Sequence, residues 1–212
     1  DGFSGQLEAG LSIQSGNTDT KEYHLKAAGE QELNDWRHHF EAAAYNSKQN
    51  GFRNDEEYRL GLGSDWKINE RDYFFGQLGY VNDRYAGFKY RFTEAIGVGR
   101  RWIDDGVYML DTRVGPGLRQ TKFTNGEKEN SWIILGGLDA GWKVNDYVEL
   151  GENATVEYSP DGTIFNSDTW LKSKLTDALA FKAGFQVEHK TEVPAGLEKT
   201  DTRTTAGIVY DF

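Results

Sequence analysis

The stretch Arg203-Thr-Thr-Ala-Gly-Ile-Val-Tyr-Asp-Phe212 decides the fold. Ala206, Ile208, Tyr210 and Phe212 fall on one side of an extended chain, and Arg203, Thr205, Gly207, Val209 and Asp211 fall on the other. Alternation with a period of two marks a strand with one apolar face and one mostly polar face. The stretch stops on an aromatic residue, which is unusual for a soluble domain. Such a strand must pair on both edges, so the question is what the rest of the chain offers it.

Upstream the same rhythm recurs. Between Phe3 and Gln14, Phe3, Leu7, Leu11 and Ile13 oppose Ser4, Gln6, Glu8, Ser12 and Gln14; the chain then returns with Tyr23 and Leu25 opposite Glu22, His24 and Lys26. Short turns fall at Asn34-Asp35, Asn69-Glu70-Arg71, Asp104-Asp105-Gly106, Asn145-Asp146 and Thr176-Asp177. Longer links follow Ser15 and run from Lys48 to Asp55, Tyr85 to Lys89, Thr124 to Asn130, Ser159 to Thr163 and Thr191 to Thr200. This spacing predicts one all-β domain over residues 1–212 with twelve strands, each of about 11 to 14 residues, enough to cross a bilayer tilted. An even strand number, tight turns at one end and longer loops at the other describe a closed antiparallel transmembrane barrel, with short periplasmic turns and longer extracellular loops. Gly207, Tyr210 and Phe212 resemble the carboxyl-terminal assembly signal of bacterial outer-membrane barrels. On this reading the last strand pairs with the first, both termini are periplasmic, and Asp1 is expected to be a mature amino terminus.

Composition narrows the function. A net charge of −10 and a pI near 4.9 exclude nucleic acid, whose binding needs clustered Lys and Arg. Cysteine is absent, so there is no disulfide framework or thiolate metal site. Only 37% of residues are hydrophobic, and no run of about 18 apolar residues makes a spanning helix. A barrel places its apolar residues at alternate positions and escapes that criterion.

Aromatic placement is a second signal. Trp36, Trp66, Tyr73, Phe74, Trp102, Tyr108, Trp142 and Tyr147 lie near the short turns; Tyr58, Tyr80, Tyr90, Phe92, Trp132, Tyr158 and Phe165 lie near the longer links. Two such rings are the interfacial girdles of a membrane barrel. A soluble sandwich would instead bury the apolar face, and the girdles and Phe212 argue against it. The lumen is then lined by Glu41, Arg59, Asp65, Arg91, Arg101, Asp111, Arg113, Arg119 and Asp139, with both signs mixed. This wall implies either a narrow hydrophilic channel for ions or small solutes, or a closed structural barrel that stabilises the envelope or docks a partner protein or lipid. Twelve strands lie between filled and open barrels. Inward glycines, among them Gly61, Gly63, Gly97, Gly99, Gly115, Gly117 and Gly137, leave one wall bare or ready to receive long side chains from opposite. Glu94 and Glu152 fall on the lipid face, so each is expected near a rim or beside a bulge; Pro116 cannot donate to a ladder, and a bulge is expected there too.

A lipid hydrolase is the alternative of a different class. Ser, His and an orienting acid or amide would have to meet. The inward histidines His24 and His39 are separated by the register that Asn34-Asp35 sets, and no Gly-x-Ser-x-Gly or His-Glu-x-x-His motif occurs. The reading is therefore not an enzyme, with no cofactor and no metal. Acidic residues Asp55, Glu56, Glu57, Glu127 and Glu129 lack the spacing of an EF-hand and read as a solvated loop face. The expected partners are membrane lipids and lipopolysaccharide, the barrel assembly machinery, and ions or small solutes.

Gly16-Asn17-Thr18-Asp19-Thr20-Lys21, Trp36-Arg37-His38-His39, Asp83-Arg84-Tyr85-Ala86-Gly87, Gly97-Val98-Gly99-Arg100-Arg101 and Gly115-Pro116-Gly117 stand in an order that resembles the family called domain of unknown function 481. That family is described as salt-induced outer-membrane proteins of Gram-negative bacteria. The resemblance covers essentially the whole chain and implies an outer-membrane barrel with a role in envelope response. It supplies no catalytic residues.

Overall fold

The computed structural model describes residues 2–49, 53–83 and 87–212, which form a closed antiparallel barrel of twelve strands. These are β1 (Gly2–Ser15), β2 (Thr20–Glu32), β3 (Trp36–Gln49), β4 (Arg53–Lys67), β5 (Asp72–Asp83), β6 (Phe88–Asp104), β7 (Tyr108–Phe123), β8 (Lys128–Lys143), β9 (Val148–Tyr158), β10 (Ile164–Lys174), β11 (Leu179–Lys190) and β12 (Thr200–Asp211). Each strand pairs with its neighbour in sequence, and β12 returns to β1 in a register running from Gln6 opposite Asp211 to Ser15 opposite Thr202. Phe212 completes the seam. Its N–H donates to the Gly5 carbonyl at 2.9 Å, and the Gly5 N–H donates to the Phe212 carbonyl at 2.8 Å. The Phe212 ring covers Gly5, where a Cβ would lie 2.6 Å from its Cζ.

The faces sort as the alternation requires. Leu7, Leu11 and Ile13 are exposed on the outside, while Glu8, Ser12 and Gln14 between them are buried inside. The apolar side thus faces outward on a barrel with no free edge, which suits hydrocarbon and not water. At the turn end, Asn69, Asp105, Asn145 and Thr176 accept backbone N–H groups two and three residues on. These side chains satisfy donors that a tight turn leaves free. The N–H groups of Tyr108 and Val107 hold the Asp105 carboxyl below its ordinary range.

Loop length does not carry the asymmetry that the sequence suggests. Apart from residues 191–199, the described loop-end connections, at 16–19, 124–127 and 159–163, are about as short as the turns. The hairpins themselves are longer than expected, reaching 17 residues in β6 and 16 in β7 and β8. Trp132 and Trp142, both outward on β8, are separated by roughly 24 Å along the membrane normal at a tilt near 45°. Beyond Trp132 the strand continues to Lys128, so the ladder satisfies the backbone past the apolar band. Residues 50–52 and 84–86, which fall within two of the expected links, lie outside the described residues.

Two glycine pairs shape the cross-section. Gly10 lies opposite Gly207 at the β1–β12 seam, and a Cβ on Gly10 would come 2.6 Å from the Gly207 Cα. Gly97 and Gly115 meet in the same way between β6 and β7, where a Cβ on Gly115 would come 2.6 Å from the Gly97 Cα. Only glycine permits this approach. Six strands separate the two creases on either side, so β1–β6 and β7–β12 face each other as two walls. Tyr73, Phe75 and Ala95 of one wall pack with Ile133 and Leu135 of the other in a buried cluster. Pro116 sits at the second crease without the expected bulge: the β6–β7 ladder lapses opposite it and resumes in the same register, from Ala95–Gly117 to Val98–Val114. The register shifts instead lie between Phe88 and Tyr90 and between Arg101 and Ile103.

Glu94 and Glu152 do point outward, and no bulge adjoins either. Each is partnered there. Gln120 donates to Glu94 at 3.3 Å, and the Ser167 and Thr169 hydroxyls donate to Glu152, the former at 2.6 Å. Hydrogen bonding lowers the cost of a carboxylate beside hydrocarbon.

Candidate functional site

The lumen is the site, and its two ends differ. Toward the turn end the charged side chains pair along the wall. Arg37 binds Asp65 through Nε at 2.8 Å and Nη2 at 2.7 Å. Asp111 receives the Tyr73 hydroxyl and Arg101 Nε, the latter at 3.1 Å. Arg113 donates to Gln77 and to Asp139, both at 3.1 Å, and Asn153 donates to Asp139 at 2.7 Å. These contacts join strands that are adjacent or one apart, so they line the lumen without crossing it. Glu41, His39 and Asn153 are exposed on this inner face, so a vestibule at this end of the lumen is open to solvent.

Toward the loop end the pairs cross the lumen. Glu57 on β4 accepts Arg203 of β12 as well as Arg59, the latter at 2.7 Å. Arg203 Nε also donates to Glu22 at 2.8 Å, and its guanidinium stacks 3.5 Å from the Tyr45 ring centroid. Arg59 reaches Glu188 on β11 at 3.6 Å, and Lys190 holds the same carboxylate at 3.0 Å. From β4 to β11 the path runs through β3, β2, β1 and β12, five steps in a ring of twelve. The pair therefore joins nearly opposite walls. Phe88 fills space beside it, between Arg91 at 4.3 Å and Lys190 at 5.0 Å from its ring centroid. Arg119 extends to the Gly162 carbonyl at 2.7 Å in the β9–β10 connection. Buried charges persist because each has an opposite partner or an oriented acceptor. The loop end is thus latched by ion pairs.

Every lumen residue expected from the alternation lies on the inner face, but they divide between the two regions. Asp65, Arg101, Asp111, Arg113 and Asp139 belong to the wall network, and Glu41 projects over Gly61. Arg59, Arg91 and Arg119 belong to the loop end. Glu57 is not the solvated loop residue its neighbours suggest; it is 3% exposed at the centre of the latch. The bare glycine wall is covered, and by neighbouring strands: Tyr73 overlies Gly99, Phe75 overlies Gly97 and Arg113 overlies Gly137. Tyr73, expected in a girdle, is inside. Trp170, Phe75, Ile133 and Leu135 are further inward residues, whose apolar character concealed them.

Trp36, Trp66, Trp102, Tyr108, Trp142 and Tyr147 are exposed around the turn end, and Trp132 is exposed toward the loops. Trp36 stacks on Trp66 at 6.5 Å and Tyr108 on Trp142 at 6.2 Å, while Trp132 meets Tyr158 at 6.2 Å. In the assembly-signal stretch Tyr210 and Phe212 project outward, and Gly207 forms the inward crease.

His24 does not meet His39; it lies opposite Tyr45. It meets Ser12 and Glu8 instead, with Ser12 Oγ 2.9 Å from Nδ1 and Glu8 Oε2 2.7 Å from Nε2. Glu8 is further held by Lys182 at 3.3 Å and Lys26 at 3.8 Å. Ser12 is 2% exposed and His24 equally so, and the constellation is packed inside the barrel. Among the described residues no three His, Asp or Glu converge as a metal site.

Known proteins place this architecture. The chain is 29% identical over 216 residues to YdiY, an uncharacterized protein of Escherichia coli K12, covering 99% of this chain and 83% of YdiY. The NanC porin has the same fold, with a TM-score of 0.65 at 9% identity over 96% of this chain and 98% of that one. The translocator domain of the autotransporter NalP from Neisseria meningitidis matches with a TM-score of 0.58 at 10% identity, over 100% of this chain and 89% of that one. At these identities the two structures establish a porin-like barrel fold. A family model matches residues 7–212, and the chain therefore belongs to the family described as "Protein of unknown function, DUF481".

Proposed function

We propose that the protein is a narrow hydrophilic channel of the Gram-negative outer membrane, passing ions or small solutes, with its turns and both termini in the periplasm. The exposed, charged inner wall around Glu41, His39 and Asn153 carries this reading. A barrel built only as a scaffold gains nothing from a hydrated vestibule. Lipopolysaccharide and phospholipid cover the girdled exterior, and the barrel assembly machinery receives the β12 strand. The protein is not an enzyme on this reading, since its Ser–His contact is buried.

The second reading is a closed structural barrel. The Arg59–Glu188 and Arg203–Glu57 pairs favour it, because they bridge the lumen. Purified protein in a planar bilayer separates the two. The channel reading expects small unitary currents that flicker as the latch opens, and silence across voltage and salt establishes the closed barrel.

A further inference from the structure

The outer face carries a groove of about 1130 Å³ that runs across the strands, from Phe3 on β1 near the turn end to Trp132 on β8 toward the loops. Along it Phe40, Leu62, Leu78, Glu94, Leu118 and Trp132 follow one another as direct cross-strand partners. The floor is bare at Gly76, where a Cβ would meet only Ile96, at 4.0 Å. Over the seven strand-to-strand steps from β1 to β8, at about 4.8 Å each, that volume leaves a section of about 30 Å². An α-helix is about 10 Å across and does not fit it; a hydrocarbon chain does. Glu94 is the one charged residue of the row, and Gln120, at 3.3 Å, is its one donor among the described residues. On β6 it stands four residues inside Tyr90 and eight from Trp102, so it lies about a third of the way from the loop-end girdle to the turn-end girdle.

Polar residues stand over the loop end of this groove on the same outer face. Gln120 lies opposite Asn130, and one step further out Lys122 lies opposite Lys128. The two lysines are four residues beyond Leu118 and Trp132, about 9 Å nearer the outer surface at a tilt near 45°. Neither makes an ion pair among the described residues. Like charges directly opposite each other in a sheet repel, so the pair calls for an anion. We propose that the groove and the column above it hold one molecule of lipid A, the phosphorylated and acylated saccharide that anchors lipopolysaccharide. Its phosphate meets Lys122 and Lys128, a 3-hydroxyl of an acyl chain donates to Glu94, and that chain lies in the groove. A glycerophospholipid presents ester oxygens at the depth of Glu94, which accept and cannot donate, so it leaves the carboxylate unmet. The site rests on the proposed orientation, with the loops facing the lipopolysaccharide leaflet.

Retention of lipid by the full-length barrel in detergent, read by native mass spectrometry, tests the site. The probes are diphosphoryl lipid A with 3-hydroxyacyl chains and dipalmitoyl phosphatidylethanolamine. The native barrel is expected to retain one lipid A and to prefer it at least about tenfold, as the attraction of two lysines at a lipid surface implies. Lys122→Gln with Lys128→Gln should abolish that preference. Glu94→Leu makes the row wholly apolar, which favours a plain chain, yet should weaken lipid A about tenfold through the lost acceptor. Gly76→Phe fills the floor without touching a charge and should weaken it too, and it decides the matter if Glu94→Leu does not fold. Glu152→Gln, outward on β9, should change nothing. No retained lipid A, equal retention of both lipids, or native retention by the lysine, Glu94 or Gly76 variants overturns the site. Conduction is not read: a conducting barrel without lipid A keeps the channel and loses the site, and a silent barrel that retains lipid A does the reverse.

Discussion

Replacing Glu188 by Gln removes one charge from the latch while keeping the side chain's size. Arg59 lies 3.6 Å from Glu188 across the lumen. At an effective dielectric near 20 the attraction at that separation is about 5 kcal/mol before the cost of desolvating both groups. After that offset the coupling left in a close charge pair is about 1.5–7 kcal/mol, and the part-exposed Arg59 at 3.6 Å belongs at the low end of that range, about 1.5–3 kcal/mol. The same residue also anchors Lys190 at 3.0 Å, so the variant leaves two cations facing a neutral amide. If that net energy holds the latch shut, the open-to-closed ratio rises roughly 10- to 100-fold, since each 1.4 kcal/mol is a factor of ten. Single-channel recording in planar bilayers measures it as open probability. Lys172→Gln is the control. It breaks an ion pair with Asp211 at 2.7 Å that runs along the wall, and should leave gating unchanged. A folded Glu188→Gln barrel with native open probability and conductance would refute the reasoning, because the cross-lumen pair would then not be what limits passage.

Other perturbations test other parts of the account. Glu57→Gln takes from Arg59 and from the buried Arg203 the carboxylate they share, and should lower stability by about 3–5 kcal/mol, read as a fall in the temperature at which the barrel unfolds on a gel. Arg113→Glu on the wall should move the reversal potential in a salt gradient toward cation preference; an unchanged potential removes Arg113 from the pathway. Gly10→Val should block closure, because its Cβ would come 2.6 Å from the Gly207 Cα, whereas Gly2→Ala meets nothing within 4 Å and should fold normally. Leu11→Arg on the outer face should cost about 2–4 kcal/mol if it lies near mid-bilayer, measured by unfolding in lipid vesicles.

Much of this was legible in the alternation alone. Strand number, faces and girdles follow from residue order, because a strand sends side chains to opposite sides by geometry and not by context. What crosses the lumen was not legible. Arg59 and Glu188 are far apart in sequence and sit on strands that never pair. Their meeting depends on the flattened cross-section, and hence on the crease pairs Gly10–Gly207 and Gly97–Gly115. Glu57 was misread because it neighbours a run of acidic residues, although its place two residues from Arg59 puts both on one face. Tyr73 and Phe74 could not both be girdle residues, and the period of two already separates them. Trp170 lies in a strand where Ser167, Thr169 and Leu171 share the outer face, so neither face reads as plainly apolar. The Pro116 bulge was expected from the missing donor; the glycine crease beside it accommodates the gap without shifting the register.

The most direct test of the account is the direction in which alternate residues face. The chain has no cysteine, so single cysteines at positions 57 through 65 of β4 can carry a fluorophore in vesicles with brominated acyl chains. The account predicts quenching at 58, 60 and 62, where Tyr58, Leu60 and Leu62 face outward, and none at 57, 59, 61 and 65. Quenching without a period of two, or strongest at the odd positions, would contradict it.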